Sequence, residues 1–486
     1  MTALVLFQQK TMLENQGFES GLAGWTTTGA VTVERKAPID GRASIRLGPG
    51  SGSAHQRYSV PGLRVLWVGA TLKPSAANVD AQLKLECFDR HGKRLLSQTA
   101  HPDHGKDPGI YLKTHAFTDH IVVSIEHTGE GSVLTDNVIL TDDDKGRVQH
   151  PPQVDLIEAM RPIWKGREVS NESVLLLSAA GGQASGKLLF NPIRVLSVRD
   201  ASLGTSYRQG QDFVVQGNRI IAQIGSSIPI MKDTEFAKGE FPWTRLDGRH
   251  VFVTYEHDDT WTGPLPMAQG DRLLRTISLL KTKRPITIVA FGDSITQGVN
   301  VSGFRNLPPY LPDWPTLAAG ELKRDYANPN VRLYNVALGG QTSVWAKENA
   351  RDLVATLNPD LVIVAFGMND FWSLSPHDFR RNIQSVVATI RRRQPRCEFV
   401  LVASMRFDPA YTADPTYVGN LAGYTAELAQ MQGPGIAFLD MDHMSQALYD
   451  MKSQRDLATD PMHPDDFMAR WYAQALIATL EQQPAR

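Results

Sequence analysis

Cysteine is scarce in this sequence, and neither sign of charge is in excess. The 486 residues include two cysteines, Cys87 and Cys397, too few for a thiolate metal centre. They lie in segments that we assign to different domains, so we expect no disulfide between them. Lys and Arg total 50 against 51 for Asp and Glu, so we expect no nucleic-acid partner. The 42% apolar content indicates a globular protein of several domains.

Long apolar runs are also missing. No segment approaches the roughly 20 apolar residues that cross a bilayer, so we predict no membrane span. The N-terminal "MTALVLFQQK" lacks the basic region of a signal peptide. Two locations stay open: the cytoplasm, and secretion after removal of a signal that preceded this sequence. The G-x-S-x-G elbow of the α/β-hydrolases is absent as well, which argues against that family.

Three regions differ in their pattern. Residues 1–145 contain short alternating strands with frequent turn signals, which are typical of an antiparallel β-sandwich. A polar linker at 141–153 leads to a second β-rich region at 154–280. In 284–486 short apolar strands alternate with helices, which indicates a parallel sheet covered by helices. We expect strands at 286–291, 331–336, 360–366 and 398–404, and helices at 314–326, 376–394, 417–432 and 465–482.

A serine directly follows the first of these strands, in "VAFGDSITQG". Gly292 and Asp293 would turn the chain so that Ser294 projects at the carboxyl end of the sheet, where α/β folds place their chemistry. An ordinary strand-to-helix turn explains the same residues. A serine nucleophile also needs a base, an orienting carboxylate and donors for the oxyanion, so other segments must decide.

The base should be a histidine with a carboxylate nearby, and an Asp-x-x-His spacing presents both side chains on one turn. Three pairs have this spacing: Asp247/His250, Asp440/His443 and Asp460/His463. The first lies outside the predicted catalytic region. In the second, Asp440 or Asp442 is better placed to cap a helix. We therefore predict His463, in a Pro-containing loop before the last helix, with His443 as the alternative.

Oxyanion donors are expected at two further strand ends. "YNVALGGQTS" places Gly339 and Gly340 after a strand, where a missing Cβ lets a backbone N–H approach a ligand. "VIVAFGMND" places Gly367 and Asn369 after the next, and the Asn369 amide can donate to an oxyanion. By contrast, "GGQASGKL" at 181–188 has phosphate-loop spacing but lacks the Ser or Thr and the following helix, so we reject it as a nucleotide site.

The segments "GDSITQG", "NVALGGQTS", "GMND" and "DPMH" occur in the order found in the SGNH, or GDSL-type, hydrolases, and the sequence resembles that family over about 285–486. The resemblance implies a flavodoxin-like, three-layer α/β/α domain that hydrolyses esters with no metal or organic cofactor. It assigns these roles: nucleophile and first oxyanion donor, Ser294; further donors, Gly340 and Asn369; base, His463; orienting carboxylate, Asp460. Gly339 is the alternative to Gly340, which the spacing to Thr342 favours.

The first region resembles carbohydrate-binding-module-like jelly rolls, through "ENQGFESGLAGWTTTG" and "TDNVIL". We expect its Trp25 in the core rather than on a sugar platform. The second resembles the β-domain that precedes the hydrolase domain in some carbohydrate-esterase-like SGNH proteins. Near the expected site, Trp372 is our candidate for substrate contact, whereas Trp314 and Trp345 are expected in the core.

These features favour a carbohydrate esterase that removes O-acetyl groups from a glycan. Two alternatives remain: an esterase, lipase or thioesterase acting on longer acyl chains, and a glycan-binding protein whose hydrolase domain is inactive. No broad apolar lid segment is visible in the sequence, which favours a short acyl group. The complete Ser, Gly, Asn and His set argues against an inactive domain.

Overall fold

The chain forms two compact units, residues 1–147 and 148–486. The structure, a computed structural model, describes residues 11–103, 106–143, 150–178, 182–232, 246, 248–407 and 415–482. The division into three domains stays a prediction, since the contacts group the regions 154–280 and 284–486 in one unit. Cys87 lies in the first unit and Cys397 in the second, and both are unpaired, as expected.

The first unit contains a sheet of eight antiparallel strands. They are β1 (Thr26–Glu34), β2 (Ser44–Ser59), β3 (Val65–Pro74), β4 (Asp80–Phe88), β5 (Arg94–Ala100), β6 (Gly109–Lys113), β7 (His120–Thr128) and β8 (Val133–Asp142). Their order is β5-β4-β7-β2-β8-β3-β6, with β1 paired to β2, and the outer strands β5 and β6 contact each other. The sheet therefore curves around its core. Trp25 is 7% exposed and packs on Phe18, which confirms it as a core residue.

The second unit begins with a β-rich region, whose described residues include one short helix, α1 (Leu156–Ala159). Its strands are β9 (Glu168–Leu175), β10 (Leu177–Ser178), β11 (Ser185–Lys187), β12 (Pro192–Asp200), β13 (Ser206–Tyr207), β14 (Phe213–Gln216), β15 (Arg219–Ala222), β16 (Met231–Lys232) and β17 (His250–His257). They form two sheets, β13-β12-β17-β9 and β14-β15-β11-β10-β16. Lys187 lies in β11, paired with Arg219, so the rejected phosphate-loop motif leads into strand rather than helix.

The rest of the second unit is built on a parallel sheet of five strands. They are β18 (Ile286–Gly292), β19 (Val331–Asn335), β20 (Leu361–Ala365), β21 (Glu398–Ala403) and β22 (Ile436–Asp440). The four strands predicted by range agree to within one residue at each end. The order β19-β18-β20-β21-β22 is the flavodoxin-like 2-1-3-4-5, in which ligands bind at the carboxyl ends of the first and third strands.

Helices connect and cover these strands. They are α2 (Leu274–Lys281), α3 (Ser294–Gln297), α4 (Trp314–Asp325), α5 (Ser343–Asn349), α6 (Pro376–Arg393), α7 (Pro415–Ala429), α8 (Met441–Met451) and α9 (Asp466–Leu480). The four predicted helices are found, although α7 begins two residues earlier and ends three residues earlier than expected. α4 packs with α9, and α6 packs with both α5 and α7. Right-handed crossovers in this strand order place the two groups on opposite faces of the sheet.

Candidate active site

Ser294 begins α3 at the carboxyl end of β18. The last residue of the strand, Gly292, has no room for a side chain, because a Cβ there would lie 2.5 Å from the carbonyl oxygen of Ala365. Asp293 caps the helix, its Oδ1 accepting from the N–H of Ile295 at 3.0 Å. The N–H of Ser294 lies in the first turn of this helix, where backbone donors have no intrahelical acceptor. Both polar groups of Ser294 thus lie where the sequence predicted them.

His463 contacts Ser294 across 169 residues of sequence. Its Nε2 lies 2.8 Å from the Ser294 Oγ, and its Nδ1 lies 2.8 Å from Oδ2 of Asp460. A carboxylate facing Nδ1 fixes the proton on that nitrogen, which leaves Nε2 to accept from the serine hydroxyl. The three side chains form one continuous hydrogen-bonded chain.

Asp460 is held by several donors. Burial raises the pKa of this carboxyl, but hydrogen bonds from His463, from the N–H of Met462 and from Asn300 outweigh it and hold the pKa below its usual value. Asn300 Nδ2 donates to Oδ2 at 2.8 Å. The carboxylate therefore stays ionised beside the imidazole. Sequence reasoning missed Asn300, whose only signal is its position six residues after Ser294.

The other two Asp-x-x-His pairs point elsewhere. Asp247 lies outside the described residues, and Nε2 of His250 donates to the carbonyl of Arg455 at 2.7 Å. The side chain of His443 is 60% exposed and, among the described residues, bonds only to Asp440, which caps α8 as expected. Of the three histidines, His463 is the one that contacts Ser294.

The two glycines at the second site segment differ in their backbone N–H groups. The N–H of Gly339 donates to Oε1 of Gln297 at 2.7 Å, so it is already bonded. Gly340 has a φ of +75°, and its N–H has no acceptor among the described residues. A Cβ on Gly339 would lie 3.5 Å from the Cβ of Ser294, which places this turn beside the serine. The geometry favours Gly340 as a donor to a ligand.

Asn369 follows β20, the strand that pairs with β18 on the side opposite β19. Its Nδ2 donates to the carbonyl of Gln341 at 3.0 Å, which leaves its second N–H for a ligand. Next to it, Oδ1 of buried Asp370 accepts from the N–H and the hydroxyl of Ser343, at 2.8 and 2.6 Å. These bonds join the glycine turn to the asparagine turn. Burial raises the pKa of Asp370 to about 6.

The tryptophans agree only in part with the expected division between core and surface. Trp314 is fully buried against Tyr472, as expected, whereas Trp345 packs on Phe291 but is only partly buried. Trp372 is 41% exposed, and its ring packs edge-on to Phe407 at 5.7 Å. Trp372 therefore presents aromatic surface three residues after Asn369.

Metal-binding and membrane-spanning features were also sought. Within the part of the chain that the structure describes, no group of three or more His, Cys, Asp or Glu side chains is arranged to hold a metal ion. None of the described helices has the length and apolar character that crossing a bilayer requires.

Comparison with known families agrees with this geometry. Residues 290–471, which include all six predicted site residues, match the GDSL-like lipase/acylhydrolase family. These residues form a GDSL-type hydrolase domain. The resemblance read from the four sequence segments is confirmed for this domain, which is that of a carboxylic ester hydrolase.

Several solved structures resemble the GDSL-type chain in part. A catalytic variant of Axe2, an acetylxylan esterase from Geobacillus stearothermophilus, is 18% identical, with 42% of this chain and 100% of that chain covered and a TM-score of 0.35. A GDSL-like lipase from Parabacteroides merdae is 15% identical, with 45% and 100% covered and a TM-score of 0.34. A comparison with curated proteins gives no match.

Proposed function

We propose that this protein is a serine esterase that removes acetyl groups from a glycan. The observation that carries the catalytic part is the hydrogen-bonded chain from Ser294 through His463 to Asp460. In this scheme Ser294 is the nucleophile, His463 the general base and acid, and Asp460 the carboxylate that orients the imidazole. The ester acyl group is transferred first to Ser294 and then to water.

The reaction follows from the positions of the protons. As the Ser294 Oγ attacks the ester carbonyl, Nε2 of His463 accepts the hydroxyl proton and then donates it to the leaving alcohol. The same nitrogen removes a proton from the water that hydrolyses the acyl-enzyme. The N–H groups of Ser294 and Gly340 and the amide of Asn369 stabilise the oxyanion in both steps. No cofactor takes part in this scheme.

The test of the catalytic roles is substitution of the two reacting side chains. We expect Ser294→Ala and His463→Ala each to reduce kcat on an activated acetate ester by on the order of 10⁴ or more. His443→Ala is the matched control, because this histidine also bonds to an aspartate but does not contact Ser294. Near-full activity of either site variant would contradict the assignment.

The acetyl and glycan parts of the proposal rest on different features. The sequence has no broad apolar lid, and the exposed Trp372 ring offers the flat apolar surface on which sugar rings stack. The first unit, with its antiparallel sheet, is proposed as a jelly-roll-like carbohydrate-binding module. We expect kcat/KM to fall from acetate through octanoate esters, and acetate to be released from an acetylated polysaccharide. A maximum at octanoate would favour the alternative, an esterase or lipase for longer acyl chains.

Trp372 tests the sugar contact directly. We expect Trp372→Ala to raise KM for an acetylated oligosaccharide by about tenfold, a loss of about 1.4 kcal/mol, and to change KM for a small activated acetate much less. Leu274→Ala, which removes another exposed apolar side chain in the same unit as Trp372, is the control. Equal changes in KM for the two substrates would contradict a sugar-specific role.

A further inference from the structure

The segment from Lys452 to Asp465 carries both Asp460 and His463, and we call it the base loop. It is closed on itself: the N–H of Thr459 donates to the carbonyl of His463 at 3.2 Å, and the N–H of Asp465 donates to that of Leu457 at 3.0 Å. Because the loop is internally bonded, its position relative to Ser294 depends on what holds it from outside.

A buried ion pair holds one end of the base loop to the β-rich region. The side chains of Lys452 and Glu172 are both 0% exposed, with Nζ 2.5 Å from Oε1. Lys452 also donates to the carbonyl of Ser173 at 2.7 Å, and Oε2 of Glu172 accepts from the hydroxyl of Tyr255 at 2.6 Å. The N–H of Leu189 also donates to Oε1 of Glu172 at 2.8 Å. The two buried charges are therefore satisfied by each other and by hydrogen bonds that join β9 and β17 to the loop.

Further hydrogen bonds continue this attachment along the loop. They are Ser173 Oγ to the carbonyl of Asp456, the N–H of Leu175 to Oδ1 of Asp456 at 2.7 Å, His250 Nε2 to the carbonyl of Arg455 at 2.7 Å, and the N–H of Leu246 to the carbonyl of Thr459 at 2.9 Å. The last of these lies one residue before Asp460. The attachment therefore reaches from the start of the loop to the catalytic pair.

The other site segments are held differently. Gln297 bonds to Gly339, Asn369 bonds to the carbonyl of Gln341, and Asp370 bonds to Ser343. These contacts all lie between turns at the ends of the parallel sheet. The sheet thus positions Ser294 and the oxyanion donors, whereas the base loop bonds to strands β9 and β17 of the preceding region in addition to the bond from Asn300 to Asp460.

We propose that the β-rich region around β9 and β17 is the template that sets the position of the catalytic base, with Ser173 and His250 as positioning residues that act through His463. This inference rests on the function proposed above for Ser294 and His463. A displacement of a reacting group by about 1 Å can reduce the rate by about 100-fold, so loss of these bonds should appear in kcat.

The experiment uses the full chain and introduces each substitution into both the wild-type protein and the His463→Ala variant. His250→Leu and Ser173→Ala each remove a donor to the base loop and leave no new buried charge, and His250→Gln keeps a side-chain N–H. We expect each donor-removing change to reduce kcat on an activated acetate ester by about 10- to 100-fold, with KM unchanged within about twofold. The His250→Gln variant should retain most of the wild-type kcat. In a His463→Ala background, the same changes should leave the residual rate unchanged.

The double variants separate positioning from a general structural effect. Equal losses in the two backgrounds, or full kcat in both folded single variants, would overturn the proposal. If His250→Leu does not fold, Ser173→Ala decides. Arg194→Gln, which removes an exposed ion pair with Glu256 in the same sheet, should leave kcat unchanged. Near-full activity of His463→Ala alone would instead show that the proposed function is wrong.

Discussion

The hydroxyl of Ser294 lies within hydrogen-bond distance of an imidazole whose other nitrogen faces an ionised carboxylate. Each contact is matched to a chemical need: a proton acceptor for the hydroxyl, and a fixed tautomer for that acceptor. The donors beside it differ in availability. The N–H of Gly339 is bonded to Gln297, whereas the N–H of Gly340 has no acceptor among the described residues. This difference agrees with the preference for Gly340 that its spacing to Thr342 suggested.

The amide of Asn369 provides the clearest prediction for a single residue. We expect Asn369→Ala to reduce kcat by about 10²–10³ with little change in KM, because the amide stabilises charge that develops only in the transition state. Steady-state kinetics on an activated acetate ester measure both constants. Asn358→Gly, at an exposed asparagine with a φ of +51°, is the control and should leave both constants unchanged. A rise in KM with unchanged kcat would assign Asn369 to substrate binding instead.

The helix that begins with Ser294 is only one turn long. α3 extends from Ser294 to Gln297, and Gly298 ends it with a φ of +80°. A Cβ on Gly298 would lie 2.7 Å from the Cβ of Asp313, the residue that caps α4. The end of one helix and the start of another thus meet at a glycine, and the position of Ser294 depends on this contact.

Gly298→Ala should therefore reduce both stability and activity. Left-handed backbone costs about 1–2 kcal/mol for a residue with a Cβ, and overpacking adds about 1–3 kcal/mol. The matched control is Gly217→Ala, which has a φ of +56° but no atom within 4 Å of the added carbon, so it should show the backbone cost alone. Chemical denaturation and kcat measure the two effects. Equal stability losses in the two variants would exclude a steric contribution at Gly298.

Across the whole molecule, several carboxyl groups are buried with too few partners to stay ionised. Burial raises the pKa of Asp293 and Asp466 to about 7 and that of Asp370 to about 6. In an unfolded chain each would titrate near 3.8. The folded state therefore binds more protons between these values, so stability is greatest below about pH 4 for these groups and is lost as the pH rises to about 7.

Asp370→Asn tests this pH dependence. The wild-type protein should lose about 1 kcal/mol of stability from this group between pH 5 and pH 8, whereas an amide cannot ionise and should lose none of it. The Tm of the variant minus that of the wild type should therefore increase by a few degrees from pH 5 to pH 8. Asp352→Asn, at a half-exposed aspartate, should change Tm in parallel with the wild type. Parallel curves for Asp370→Asn would show that this carboxyl is ionised throughout.

Much of the catalytic domain is determined by the sequence alone. Apolar runs between turn residues place four of the five strands of the parallel sheet to within one residue, because a strand buried on both faces tolerates few polar side chains. The site segments predict that Ser294, Gly340 and Asn369 lie together, because the carboxyl ends of parallel strands meet at one edge of the sheet. His463 could be preferred to His443 as the candidate base, because Asp440 is suited to cap a helix.

Only the tertiary structure decides which groups meet across long distances. Glu172 and Lys452 lie 280 residues apart, and neither has a local pattern that predicts a buried ion pair. His250 shares the Asp-x-x-His spacing with His463, yet it bonds to the base loop rather than to Ser294. The spacing of residues in the sequence determines which side chains lie together on one turn. The packing of the strands determines which distant groups those side chains contact.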